Sequence, residues 1–64
     1  MELNLIDFHV LEVLGEPEHY KFEFGECWIV KVIATSYGRE SYMEVYCKSE
    51  EEALSVKIGY VFQS

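Results

Sequence analysis

Basic side chains are scarce in this chain: five Lys and Arg residues stand against twelve Asp and Glu residues among 64. A protein that coats nucleic acid neutralises phosphates with Lys and Arg, so this balance argues against direct nucleic-acid binding. No apolar run reaches the ~18 residues needed to span a bilayer, and residues 1–4 lack the basic start of a signal peptide. We therefore expect a cytoplasmic protein that makes no membrane contact.

Sequence patterns for catalysis or metal binding are also lacking. Zinc sites normally show a closely spaced ligand pair, whereas Cys27, Cys47, His9 and His19 are scattered along the chain. We expect free thiols, no metal and no cofactor. Asp7 lies near His9 on one strand face, but no motif supplies a nucleophile. The four glycines form no phosphate-binding run, so we expect no enzyme activity.

Apolar residues, by contrast, are plentiful. Half of the chain is hydrophobic and 16% is aromatic, which is too apolar for a disordered acidic segment. The length indicates a single compact domain, residues 1–64, that buries roughly 60% of its unfolded surface. One thin layer of secondary structure cannot hide this much apolar surface. We therefore expect self-association, with a homodimer as the simplest form.

The first half of the chain has the pattern of β-strands. Residues 3–14 lack Gly and Pro and are apolar on two alternating faces, one with Ile6, Phe8 and Val10, the other with Leu3, Leu5, Leu11 and Val13. A helix is the competing interpretation, because Leu5, Phe8 and Leu11 also recur at helical spacing. Residues 15–18 then form a turn.

A second apolar alternation runs from Tyr20 to Ala34 and continues across Gly25. Two interpretations fit it: one long strand bent at Gly25, or two strands joined by a tight Gly25-Glu26 turn. We favour the bent strand, because the alternation keeps its phase and glycine often marks a bend or bulge.

A hairpin is predicted at residues 37–40, with Gly38 first in a two-residue type II′ loop. That register sets Thr35 opposite Tyr42, Val32 opposite Val45, and Val30 opposite Cys47. One face of the hairpin then forms a core from Trp28, Val30, Val32, Ala34, Met43, Val45 and Cys47. The reverse face is amphipathic and rich in tyrosine, as many partner-binding surfaces are, and carries Ile29, Lys31, Ile33, Tyr42, Glu44, Tyr46 and Lys48. The alternative is that a loop or neighbouring strand covers this face.

A short helix is predicted after Ser49, which can cap it in a box with Glu52. The acidic first turn suits the helix dipole. Ala53, Leu54 and Ile58 are predicted to face inward, Gly59 to stop the helix, and residues 60–62 to form a closing strand. The fold class is therefore α+β: a small antiparallel β-meander of three to four strands with one short C-terminal helix.

Acidic residues form two groups, one within residues 2–18, where no Lys or Arg appears, and one at the helix start. Capping and solvation alone can explain each glutamate. Taken together, the two groups favour an acidic contact with a basic protein surface. The expected partner-binding residues are Ile33, Tyr42, Glu44, Tyr46, Glu50, Glu51 and Glu52.

Small size, acidity, absence of catalytic motifs and the Met1 start resemble the small acidic proteins that phages encode to disable host machinery, including restriction and CRISPR defences. No residue motif carries this resemblance, and those proteins share no single fold. It implies a non-enzymatic inhibitor or regulator of a host nucleic-acid-handling or defence protein. The alternatives are a homo-oligomeric structural subunit, or a small-ligand binder whose interface site has Trp28 or the tyrosines as walls.

Overall fold

A computed structural model describes residues 5–64, so the first two residues of the predicted 3–14 strand lie outside the described part. The elements are β1 (Asp7–Val13), β2 (Glu18–Phe22), β3 (Gly25–Ser36), β4 (Arg39–Cys47), α1 (Glu50–Leu54) and β5 (Val61–Gln63). The fold is an antiparallel sheet with one short helix. The sheet has five strands, where the sequence predicted three to four.

Strand β3 organises the sheet. Strand β4 pairs with it from Trp28 to Ser36 along one edge, so β1 and β2 must share the other edge. Strand β1 pairs with the second half of β3 and β2 with the first half. Strand β5 then adds to the free side of β1. This arrangement differs from a simple meander, because β1 pairs with β3 and β5, not with the next strand β2.

The preferred bent strand at Gly25 is wrong. Strands β2 and β3 form a hairpin in which Phe22 pairs with Gly25, so the two loop residues are Glu23 and Phe24. Gly25 follows them with a φ of 151°, a backbone conformation that side chains disfavour. The alternative of two strands was correct, with the turn two residues earlier than expected.

The β3–β4 hairpin exists, but its loop begins one residue earlier than predicted. Ser36 pairs with Arg39, which leaves Tyr37 and Gly38 as the loop, at φ of 52° and 76°. Positive φ at both positions is typical of a type I′ turn, not the predicted type II′. The pairing therefore shifts by two residues, and Thr35 faces Glu40 instead of Tyr42. A shift of two keeps every side chain on its predicted face.

Strand β1 contains an irregularity that the alternating pattern hides. Its register against β3 changes between Val10 and Glu12, which places a β-bulge at Leu11. Because of this extra residue, Val13 packs against the same core as Val10, not on the opposite face as predicted. Leu11 remains exposed.

The core lies on one face of the sheet and is mainly aliphatic. Its buried members are Val10, Val30, Val32, Ala34, Val45, Cys47, Ala53 and Val56, with Trp28 and Met43 among the partly buried residues around it. This confirms the predicted core face of the hairpin. Helix α1 covers part of that face through Ala53.

The helix is shorter than predicted, with five residues. Ser49 caps it by accepting a hydrogen bond from the backbone N–H of Glu52, as the capping box predicted. The Glu52 carboxylate instead accepts from the N–H of Lys48, at 3.3 Å. Because the helix ends at Leu54, that residue and Ile58 are exposed, so their predicted inward orientation is wrong.

Residues 61–63 form the closing strand β5, close to the predicted segment. Its register is fixed by backbone bonds at both ends, from Ile6 to Ser64 and between Val10 and the residues Gly59 and Tyr60. Within residues 5–64, α1 is too short to cross a membrane.

Candidate functional site on the open face of the sheet

The face of the sheet opposite the core forms the candidate site. The β3–β4 register places Ile33 beside Tyr42, Lys31 beside Glu44, and Ile29 beside Tyr46. Strand β2 extends this surface, since Glu18 pairs with Ile29 and Tyr20 with Cys27. We call this surface the open face: Glu18, Tyr20, Cys27, Ile29, Lys31, Ile33, Tyr42, Glu44 and Tyr46. No described residue is fully buried there, and neither helix α1 nor the core covers it.

A polar cluster lies in the middle of the open face. The Lys31 ammonium contacts a Glu18 carboxylate oxygen at 2.9 Å. The other oxygen of Glu18 accepts a hydrogen bond from the Tyr20 hydroxyl at 2.6 Å. On the neighbouring strand, the Tyr42 hydroxyl donates to Glu44 at 3.1 Å. Two tyrosine hydroxyls on this exposed surface thus each donate a hydrogen bond to a carboxylate, and one of the two carboxylates also pairs with Lys31.

The pKa values of this cluster shift in the directions that these contacts require. The hydrogen bond from Tyr20, and then the contact with Lys31, lower the pKa of Glu18. The hydrogen bond to Glu18 raises the pKa of both Tyr20 and Lys31. Partial desolvation, followed by the hydrogen bond to Glu44, raises the pKa of Tyr42. Near neutral pH these shifts favour anionic Glu18, cationic Lys31 and protonated tyrosines.

The structure brings four of the predicted partner-binding residues together. Ile33, Tyr42, Glu44 and Tyr46 all lie on the open face. Ile33 is partly buried, whereas Tyr42 and Tyr46 are 53% and 65% exposed. These exposed fractions leave both aromatic rings accessible to a partner.

The three helix-start glutamates do not form one site. Glu52 lines a groove with Glu44 and Tyr46. Glu50 lines a different groove beside His19 and Trp28, and Glu51 lines neither. Only Glu52 is therefore close to the predicted sheet residues.

Sequence reasoning missed Glu18 and Tyr20, and it placed Lys31 on this face without giving it a role. The bent-strand interpretation put Tyr20 on the same face as Trp28. A hairpin at Glu23-Phe24 reverses this, because Tyr20 then pairs with Cys27. The available signal was Gly25 itself, since glycine is favoured at the last position of a common tight turn.

The histidines and cysteines do not come together. His19 stacks on Trp28 with ring centroids 4.3 Å apart and contacts Glu26 at 2.9 Å. Cys27 lies on the open face and Cys47 in the core, both as free thiols. Burial, and then the nearby Glu52, raise the pKa of Cys47, which disfavours a reactive thiolate. Among residues 5–64, no three His, Cys, Asp or Glu side chains cluster as metal ligands.

No family model, curated protein or solved structure matches this chain.

Proposed function

We propose that this protein is a non-enzymatic binding module whose open face docks on a basic surface of another protein. The observation that supports this most strongly is the exposure of Tyr42 and Tyr46 beside Glu44 on one sheet face. Tyrosine is enriched in protein interfaces because it combines apolar area with a polar end. The hydrogen bond from the Tyr42 hydroxyl to Glu44 already orients one of these rings, so that side chain loses little entropy on binding.

Charge determines which partner this surface suits. Lys31 is the only cation among the residues that define the open face, and it is already paired with Glu18. Lys48, which the sequence placed on this face, lies just beyond the end of β4. The whole chain carries a formal charge of −7. Such a surface attracts a basic partner over a long range and repels acidic ones. The partner class we propose, in line with the phage resemblance, is a host nucleic-acid-handling or defence protein that this chain inhibits or regulates in the cytoplasm.

Affinity capture from a host lysate, at about 50 mM and about 500 mM salt, tests the proposal. We expect a basic partner that is retained at low salt and released at high salt. The bait variant Tyr42→Ser/Tyr46→Ser should lose it. The matched control, Leu54→Ser/Ile58→Ser, removes two exposed apolar side chains elsewhere and should retain it. Equal capture by both variants would show that the open face is not the binding surface.

The helix-start glutamates provide a separate arm of this test. Reversal of Glu50, Glu51 and Glu52 to Lys should weaken partner binding more than Tyr42→Ala weakens folding. If binding at low salt survives the triple reversal, these residues only cap and solvate the helix.

Self-association is the second candidate function, favoured by the exposed aromatic side chains of the same open face. A homo-oligomeric subunit of this kind should melt at a temperature that rises with protein concentration. Light scattering measures its mass directly. A small-ligand site at the subunit interface would have the tyrosines as walls, and thermal shifts with nucleotides or metabolites test it.

A further inference from the structure

Residues of the two outer strands β4 and β5 line a common groove. Strand β4 pairs only with β3 and strand β5 only with β1 in the part of the sheet described, so each has one unpaired edge. A groove of about 500 Å³ lies between them, lined by Glu44, Val45, Tyr46, Glu52 and residues 60–64. The outer strand β4 thus borders a groove that one more strand could enter.

The backbone of such an edge has a defined binding capacity. Alternate residues of an edge strand direct their N–H and C=O groups outward, where another extended chain can pair with them. Strand β4 is nine residues long, and its alternate residues can take part in this pairing. Strand addition of this kind obtains affinity from main-chain hydrogen bonds and specificity from alternate side chains.

The side chains of the groove define the sequence of its occupant. Val45, Tyr60 and Phe62 belong to the core or pack against it, so they form an apolar inner wall. Glu44 and Glu52 add carboxylates, and no Lys or Arg is among the lining residues. Neither carboxylate has an ion-pair partner among the described residues. An extended segment that directs apolar side chains toward the core and basic side chains toward Glu44 and Glu52 would match both the apolar wall and the carboxylates.

We infer that the groove between β4 and β5 binds an extended basic segment of a partner protein, which adds to the β4 edge as a further strand. The inference rests on the proposed function and identifies the part of the partner that is recognised. Its apolar side chains contact Val45 and Phe62. Its Lys or Arg side chains pair with Glu44 and Glu52.

Electrostatics disfavours a second copy of this chain as the occupant. Each copy carries a formal charge of −7. Antiparallel pairing of two β4 edges centred on Tyr42 would place Glu40 of each copy opposite Glu44 of the other, and like charges facing each other across strands are destabilising. A basic strand has the complementary charge.

Hydrogen exchange measured by NMR on the full chain tests the inference. The probe is a capped peptide of about seven residues that alternates Val and Lys, a typical strand length. We expect slower exchange at alternate amides of β4 and binding that weakens as salt rises. Two control peptides, one alternating Val and Glu and one N-methylated on alternate backbone nitrogens, should each bind at least about tenfold more weakly.

Groove variants sharpen the test. Glu44→Lys/Glu52→Lys should weaken binding of the Val-Lys peptide about tenfold. The control Glu16→Lys/Glu23→Lys reverses two exposed carboxylates that lie outside the groove, in the bend before β2 and the turn after it, so it changes the net charge equally and should weaken binding less than about twofold. Glu44→Gln/Glu52→Gln should also weaken binding, and it avoids introducing cations beside the helix cap. Circular dichroism verifies that each variant is folded.

Three results would overturn the inference: no protection of β4 by the peptide, equal binding of the N-methylated peptide, or a dimer in light scattering that already protects β4 without peptide. The proposed function fails in a different way. If a natural partner is captured through the open face while β4 amides exchange as in the free chain, the function stands and the strand addition is wrong. If the peptide protects β4 but no partner depends on the open face, the groove stands and the proposed function is wrong.

Discussion

The two faces of one sheet have opposite characters, although both are built on strands β3 and β4. On the core face, Val30, Val32 and Val45 are at most 5% exposed and bear no polar atom in their side chains. On the open face, tyrosines and carboxylates are held by hydrogen bonds and an ion pair. The core face explains why the chain folds. The open face has features that folding does not require, and such features are the better indicators of function.

The largest expected effect contrasts two neighbouring residues of β4. Val45→Asp places an unpaired charge in the core, at a cost of several kcal/mol, and a chain of 64 residues has a stability of only about 3–10 kcal/mol. We expect this variant to be unfolded by circular dichroism. Tyr46→Asp, one residue further on, should remain folded and lose less than about 1 kcal/mol. Two folded variants, or two unfolded ones, would contradict the distinction between the faces.

A milder version of the contrast uses alanine. Val32→Ala removes two methyl groups from a side chain with 0% exposure, so we expect a loss of about 2–3 kcal/mol in the free energy of unfolding. Tyr46→Ala, at 65% exposure, should cost less than about 1 kcal/mol. Urea denaturation measures both values, and equal losses would mean that the open face contributes to folding as much as the core does.

The β3–β4 turn offers a change that should affect neither face. Tyr37 has a φ of 52° and an 88% exposed side chain, so it bears backbone strain without packing in return. Asn tolerates this conformation better and Asn-Gly is a preferred type I′ pair. We expect Tyr37→Asn to stabilise the fold by about 1 kcal/mol, seen as a higher urea midpoint. Gly38→Ala, at φ of 76°, is the opposing control and should destabilise it. A lower midpoint for Tyr37→Asn would argue against this turn type.

The smallest effect concerns the pH dependence of the open face. The pKa of Glu18 lies below its usual value of 4.5, first because Tyr20 donates a hydrogen bond to it. A pKa lowered on folding means that ionised Glu18 stabilises the fold above its unfolded pKa, and that this contribution is lost as pH falls through the folded value. Tyr20→Phe should raise the pKa of Glu18 in a carboxyl NMR titration, and Tyr42→Phe is the control. An unchanged pKa in Tyr20→Phe would show that the hydrogen bond does not form in solution.

Strict alternation made the two faces of the β3–β4 hairpin predictable from the sequence. The capping box at Ser49 was equally readable, because it depends on residues three positions apart. The predicted β3–β4 pairing was wrong by two residues. Because side chains alternate between faces, a shift of two left each side chain on its predicted face. Local patterns were thus sufficient wherever the structure depends on neighbours in the chain.

Features that depend on pairing were harder to predict. The bulge at Leu11 is invisible in the alternation of β1, since both faces of this strand carry apolar residues. The turn at Glu23-Phe24 lacks the usual turn residues at its centre, so the phase of the pattern suggested one strand. That single error removed Tyr20 from the open face. The groove between β4 and β5 could not be predicted, because residues far apart in the chain meet there only in the folded sheet.

The most direct test of the central claim compares the affinity of the captured basic partner for two double variants, one on the open face and one elsewhere. The account predicts that Tyr42→Ser/Tyr46→Ser weakens binding at least about tenfold, that Leu54→Ser/Ile58→Ser leaves it within about twofold of the original, and that added salt weakens binding throughout. Equal affinity of both variants, or binding indifferent to salt, would contradict an acidic, tyrosine-rich open face as the functional surface.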